Sequence, residues 1–210
     1  MIKDHPIFIE SINFIRTNLE ANDFNYLENK VLERLVHTSG DFNIQNLLEF
    51  SENACENAIQ SLREGAPILT DTDMAATAIK SMAQNTTGNQ VCSAKNWYQD
   101  KAYFGSTKTA YGILKGWKEL SEKYIGIKSP IVVIGSSPTA LMDLLDHLDH
   151  LDNSNNSPSL IIGMPVGFIG VEKSKQKLLG TNYSRIVINS TRGGAAMAAA
   201  TVNALLRESI

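Results

Sequence analysis

Apolar positions in the first 65 residues recur at helical spacing. Ile9, Ile12, Phe14 and Ile15 share one face, and Leu27, Val31, Leu32, Leu35 and Val36 share another, so two amphipathic helices are predicted. Gly40 follows the second, where a left-handed residue ends a helix. A third helix is predicted over about 43–63, carried by Ile44, Leu47, Leu48, Ala54, Ala58 and Leu62. From Gly65 the pattern changes to short unbroken apolar runs. Residues 66–69, 90–92, 131–134, 160–162 and 186–188 read as buried strands. Helical segments near 73–82, 107–123, 138–151, 173–179 and 194–206 separate or follow them. Continuous apolar strands alternating with helices predict an α/β fold, a central parallel sheet covered on both faces behind a helical N-terminal segment. Residues 152–158 form a polar loop. With no repeat and no linker, 210 residues make a single domain spanning 1–210.

Composition narrows the function classes. Apolar content of 43% and charged content of 20% suit a soluble globular chain. A net charge of -3 offers no basic face for nucleic acid. No apolar run approaches the roughly 20 residues of a membrane span, and the N-terminus lacks the layout of a leader. Cys55 and Cys92 stand alone, without the close pairs of a zinc site, and read as reduced, buried thiols of a cytoplasmic protein.

In a parallel sheet, ligands bind beyond the carboxyl ends of the strands. Turns at 134–139, 164–170, 190–194 and 69–73 each follow a strand and lead into a helix. Each aims backbone N–H groups and a positive helix end at that edge. Convergent ends of this kind favour a ligand with several anionic groups. The phosphate-binding motifs Gly-x-Gly-x-x-Gly and Gly-x-x-x-x-Gly-Lys-Ser/Thr are missing, so the residues alone reach an anion-binding α/β protein or ordinary capping. Asp143, Asp146, His147, Asp149, His150 and Asp152 resemble metal ligands. Interleaved with Leu141, Leu144, Leu145, Leu148 and Leu151, they read better as the solvated face of a helix. There is no Gly-x-Ser-x-Gly elbow for a serine nucleophile.

Of the four histidines, only His37 lies on an ordered framework. It occupies the last turn of the second helix, one turn after Arg34 and before Thr38 and Ser39. It either caps the helix end or is a poised proton donor. A helix C-terminus stabilises a cation by roughly 0.3–1 kcal/mol, up to ~2 when partly buried, which would raise an imidazole pKa. Arg34 opposes that rise, so the two effects leave the net direction open.

The ordered set Arg34-Leu-Val-His-Thr-Ser-Gly40, Gly65-Ala-Pro-Ile-Leu-Thr-Asp71, Ile134-Gly-Ser-Ser-Pro-Thr-Ala-Leu141 and Gly163-Met-Pro-Val-Gly-Phe-Ile-Gly170 resembles the precorrin-8X methylmutase family of corrin biosynthesis. Glu172-Lys-Ser-Lys175 and the Gly193-Gly194 turn before an alanine-rich helix extend the likeness over nearly the whole chain. The resemblance implies an isomerase that moves a methyl group from ring carbon 11 to ring carbon 12 of precorrin-8X or cobalt-precorrin-8. It implies no added cofactor or metal, a three-layer α/β/α sandwich and a homodimer. It casts His37 as the acid that protonates the macrocycle, with Ser11 and Arg34 as substrate contacts. Thr38 and Ser39 beside the histidine, and Thr70, Asp71, Lys108, Ser136, Pro138, Thr139, Arg192, Gly193 and Gly194 in the turns, are further candidates for holding the carboxylate arms. The chain departs from the family pattern at Ser136, where asparagine is expected, and at Lys108, where arginine is expected and the bidentate fork is lost. Its last turn, 189–195, lacks a more basic form. Two other readings share the anion-binding turns: a non-catalytic corrinoid carrier, which would not need His37, and an α/β enzyme acting on a phosphorylated metabolite.

Overall fold

The computed structural model describes residues 4–98, 106–126, 128–150 and 157–210. Among these, six strands form one sheet: β1 (Leu48–Phe50), β2 (Ile68–Thr70), β3 (Val91–Ser93), β4 (Ile131–Ile134), β5 (Leu160–Gly163) and β6 (Arg185–Ile188). Their order is β1-β6-β5-β4-β2-β3. The five strands β2 to β6 run parallel, and β2, β4 and β5 are buried along their whole length. The short β1 closes the edge antiparallel to β6, with Leu48 opposite Ile188 and Phe50 opposite Ile186. The order reverses direction between β2 and β4, the switch point at which such sheets open a crevice.

Strand residues alternate between two faces. Ile68, Ile131, Val133, Ile162 and Ile186 pack beneath α1 (Pro6–Asn18), α2 (Tyr26–Ser39), α3 (Ala54–Arg63), α4 (Asp73–Asn85) and α8 (Ala195–Glu208). Leu69, Val132, Ile134, Ile161 and Val187 pack against α5 (Lys108–Lys123), α6 (Pro138–Asp149) and α7 (Val171–Leu179). The result is the expected α/β architecture, a mostly parallel sheet flanked by helices. No described helix is long and apolar enough to cross a membrane.

Two expectations need correction. The predicted helix over 43–63 is three elements: a 3-10 turn (Phe42–Asn46), β1 and α3. Ile44, Leu47 and Leu48 mimic helical spacing, but the open edge of β6 offers Leu48 to Phe50 a ladder. Asn53, left-handed at φ 53°, separates that strand from α3. The sheet is therefore parallel except at this edge. On α6, Leu141, Leu144, Leu145 and Leu148 are buried, while Asp146 and Asp149 lie outside and pair with Lys177. The solvated-face reading of that helix holds there. Leu151 and the loop residues 152–156 lie outside the described residues.

The N-terminal helices are fixed by their ends and by their buried faces. Asn25 and Glu28 form a reciprocal capping box at the start of α2, and Gly40, at φ 66°, ends it. Between those stops Leu32 and Leu35 are fully buried. Each contributes about 1.5–3 kcal/mol by burial, so packing fixes where the last turn of α2 lies.

Candidate functional site

The last turn of α2 meets α1. Ser11 Oγ on α1 lies 2.9 Å from His37 Nδ1. That contact leaves Nε2 without a hydrogen-bond partner among the described residues, on an exposed ring. The ring of Phe8 stands edge-on to His37, centroids 5.2 Å apart at 85°. Arg34 lies one turn earlier with its guanidinium 5.0 Å above the same Phe8 ring. The fold lowers the His37 pKa from its ordinary value, first through burial and then through the charge of Arg34. The opposition from Arg34 and the loss of water thus outweigh any rise from the helix end. A lowered pKa makes the imidazolium a stronger acid, present below that pKa and lost as pH rises through it.

Arg34 is half-buried. Its Nε has no hydrogen-bond partner among the described residues, and burial followed by the charge of Arg207 lowers its pKa against the pull of Asp4. It lines a cavity of about 250 Å³ between α1, α2 and α8, together with Phe8, Arg16, Glu33 and Arg207. The arginines beside it have carboxylate partners: Arg16 grips Glu33 at 2.5 and 2.8 Å, and Arg207 grips Asp4 at 2.5 and 2.7 Å. Arg34 has none among the described residues, which leaves its charge available to an anion.

The loops at the carboxyl ends of the strands reach toward this helix end. Arg192, after β6, forms an ion pair with Asp41, the residue after Gly40. Both partners are partly exposed, so the pair orients the two segments and adds only about 0–1 kcal/mol. Beneath the loop lies Lys175, fully buried, whose Nζ donates to the Ser190 carbonyl at 2.7 Å and the Arg192 carbonyl at 2.5 Å. Gly193 and Gly194, at φ 153° and 117°, bring the chain against the 164–170 loop, and Gly194 N donates to Met164 O at 2.9 Å. The adjoining helices, α7 and α8, start at Gly170 and Gly194 with no side-chain cap. Their first N–H groups, like those of α3 after Asn53, have no side-chain acceptor.

Burial lowers the Lys175 pKa to about 8, against a weaker raising effect of Glu172. A base so depressed makes the folded state less favourable below about 8, where it must be charged, and that cost is relieved as pH rises toward 10.5. Relative to Lys175→Met, wild type is therefore expected to gain stability from pH 8 to 10.5, read from paired urea unfolding curves. Parallel curves for the two proteins over that window would contradict it.

The remaining sequence candidates divide between self-capping, buried and exposed positions. Thr38 and Ser39 turn back on their own helix, donating to Arg34 O at 2.8 Å and Leu35 O at 2.9 Å. Thr70 and Asp71 are fully buried at the switch point. Asp71 Oδ2 accepts from Ser136 N at 2.6 Å and Ser137 N at 3.0 Å, so an internal carboxylate holds the turn ahead of α6, while the Ser137 hydroxyl caps the helix by accepting from Ala140 N. Burial raises the Asp71 pKa against those backbone bonds. Thr139 Oγ1 lies 3.0 Å from Ser137 Oγ and from Thr107 Oγ1, joining the starts of α5 and α6. Pro138 opens α6, and Lys108 opens α5 in an exposed position. The structure thus brings Ser11, Arg34 and His37 together and links Arg192 to their helix, while Thr70 and Asp71 face inward. Sequence reasoning missed Phe8 and Asp41, whose roles arise from contacts between separate elements.

Comparison with known proteins gives consistent findings. The sequence model of the family described as CbiC, precorrin-8X methylmutase, matches residues 6–208. The cobalt-precorrin-8 methylmutase of Synechocystis sp. is 30% identical, over 97% of this chain and 95% of that protein. The precorrin-8X methylmutase of Sinorhizobium sp. is 33% identical, over 97% of this chain and 94% of its own length. Among solved structures, the precorrin-8x methyl mutase from Thermus thermophilus superposes with a TM-score of 0.81 at 27% identity, covering 97% of this chain and 95% of that one.

Proposed function

The chain belongs to the precorrin-8X methylmutase family, and from that premise we propose that it moves a methyl group from ring carbon 11 to ring carbon 12 of a corrin precursor, with His37 as the acid. It is a methylmutase of corrin biosynthesis, an isomerase that transfers a methyl group within one molecule. The observation that supports the acid is the contact of Ser11 Oγ with His37 Nδ1, which holds the ring and directs Nε2 outward. Nε2 delivers a proton to the macrocycle, and the methyl group leaves carbon 11 and bonds to carbon 12. The same proton is then released, so neutral His37 can take it back. Atoms balance within the substrate and one proton, and no added cofactor enters the scheme.

Binding falls to groups of opposite charge to the substrate's carboxylate arms. Beside the acid, Arg34 supplies a guanidinium that has no ion-pair partner among the described residues. The uncapped starts of α7 and α8 supply backbone N–H groups. Lys108 and the hydroxyls at Ser136 and Thr139 border the same edge of the sheet. The chain works as a single domain over 1–210, as a cytoplasmic homodimer, and accepts precorrin-8X or its cobalt form to give hydrogenobyrinate or cobyrinate.

Mixing purified protein with each substrate and following the absorbance change of methyl migration tests this reading. Conversion is expected, whereas tight binding without conversion would favour a carrier. Arg34→Ala is expected to weaken substrate binding by roughly 10- to 100-fold, the loss of one charge-assisted contact. An absorbance titration measures it, and unchanged affinity would remove Arg34 from the site.

A further inference from the structure

The Phe8 ring is the common neighbour of the acid and of the cation beside it. His37 meets it at 5.2 Å and 85°, Arg34 lies 5.0 Å from its centroid, and Arg207 on α8 lies 5.4 Å from it. Arg207 is itself held by both oxygens of Asp4. We propose that Phe8 is a positioning residue that sets the ring plane of His37 and the distance of the Arg34 charge from it.

Two features of the geometry carry this. The hydrogen bond with Ser11 fixes one ring nitrogen of His37 but leaves the ring able to turn about that contact. The edge-on Phe8 ring supplies the second constraint, in the arrangement that aromatic quadrupoles prefer. Among the described residues Arg34 has no hydrogen bond at Nε and no carboxylate partner, and the like charge of Arg207 lies nearby. What holds its guanidinium in place is the face of Phe8. The adjoining 250 Å³ cavity gives that side chain room to move away once the ring is gone. The charged groups set around His37 are Arg34 on its own helix and, across Phe8, Arg207 on α8 and Asp4 ahead of α1. Burial and the Arg34 charge both depress the imidazole, and the Phe8 ring packs against both the imidazole and the Arg34 guanidinium.

The catalytic consequence rests on the methylmutase reading, whereas the effect on His37 protonation does not. The test is an NMR pH titration of His37, assigned with His37→Ala, in wild type, Phe8→Leu and Phe8→Tyr, with kcat and KM measured alongside. In Phe8→Leu the His37 midpoint is expected to move upward, and kcat to fall about 10- to 100-fold with a smaller change in KM, the cost of a misplaced catalytic group. Phe8→Tyr keeps the ring face and is expected to restore both. Should the leucine variant fail to fold, Phe8→Met gives the same comparison. An unshifted midpoint, or failure of tyrosine to restore it, overturns the proposal. If wild type does not turn over either substrate, the methylmutase reading falls and the titration still decides the role of Phe8.

Discussion

Replacing His37 with alanine is expected to lower kcat by about 10²–10⁴-fold, the usual contribution of a general acid, while substrate affinity changes little. The separation comes from the structure. Among the described residues the ring has one hydrogen bond, between Nδ1 and Ser11 Oγ, in which the protonated ring donates, and it presents Nε2 outward on an exposed edge. Arg34 and the uncapped starts of α7 and α8, proposed as the contacts for the substrate's carboxylates, are separate from it. Single-turnover absorbance with saturating enzyme isolates the chemical step from binding. Because the fold lowers the His37 pKa, the wild-type rate should be highest on the acid side and fall as pH rises through that pKa. The alanine variant should lose this dependence. Conversion by His37→Ala at the wild-type rate would remove His37 from the mechanism.

Gly193→Ala should give the largest loss of stability, about 3–5 kcal/mol, by combining a strained backbone with a collision. Gly193 has φ 153°, and a Cβ there would come 2.0 Å from the carbonyl oxygen of Met164 and 2.8 Å from its carbon. Both are backbone atoms, so neither can swing aside. The displaced loop carries the Ser190 and Arg192 carbonyls that Lys175 binds, and the ion pair of Arg192 with Asp41. Activity should therefore fall with stability. Gly88→Ala is the control: its φ is +74°, but nothing lies within 4 Å of the added carbon. It should cost only the backbone strain, about 1–2 kcal/mol. Urea unfolding midpoints compare the two, and equal losses would show that the contact with Met164 has no weight.

The parallel strands were legible because burial on both faces leaves an unbroken apolar run, as in Ile131 to Ile134. The second helix was legible from its period and from Gly40, which ends it at φ 66°. β1 was hidden for a physical reason. Three residues at a sheet edge owe their conformation to β6, not to their own preferences, and their neighbours repeat at helical spacing. The candidate site divides along similar lines. His37 and Arg34 could be found because one turn of one helix joins them. Phe8, Asp41 and Arg207 act across helices and carry no local pattern. Asp71 shows the opposite limit. Its place after a strand suggested a ligand contact, but full burial turns it onto the Ser136 and Ser137 amides, where it holds the turn ahead of α6. Lys175 stood in a recognisable run, and only the structure shows its ammonium group beneath the 190–194 loop.

The central claim is that this fold moves a methyl group between adjacent ring carbons with a proton from His37. Substrate labelled with carbon-13 in the methyl group at ring carbon 11, incubated with wild type or His37→Ala and read by NMR, addresses it most directly. The label is expected at ring carbon 12 with wild type, and at ring carbon 11 in substrate still bound to the variant. Label found at ring carbon 12 at equal rates with both proteins, or unmoved with wild type, would contradict it.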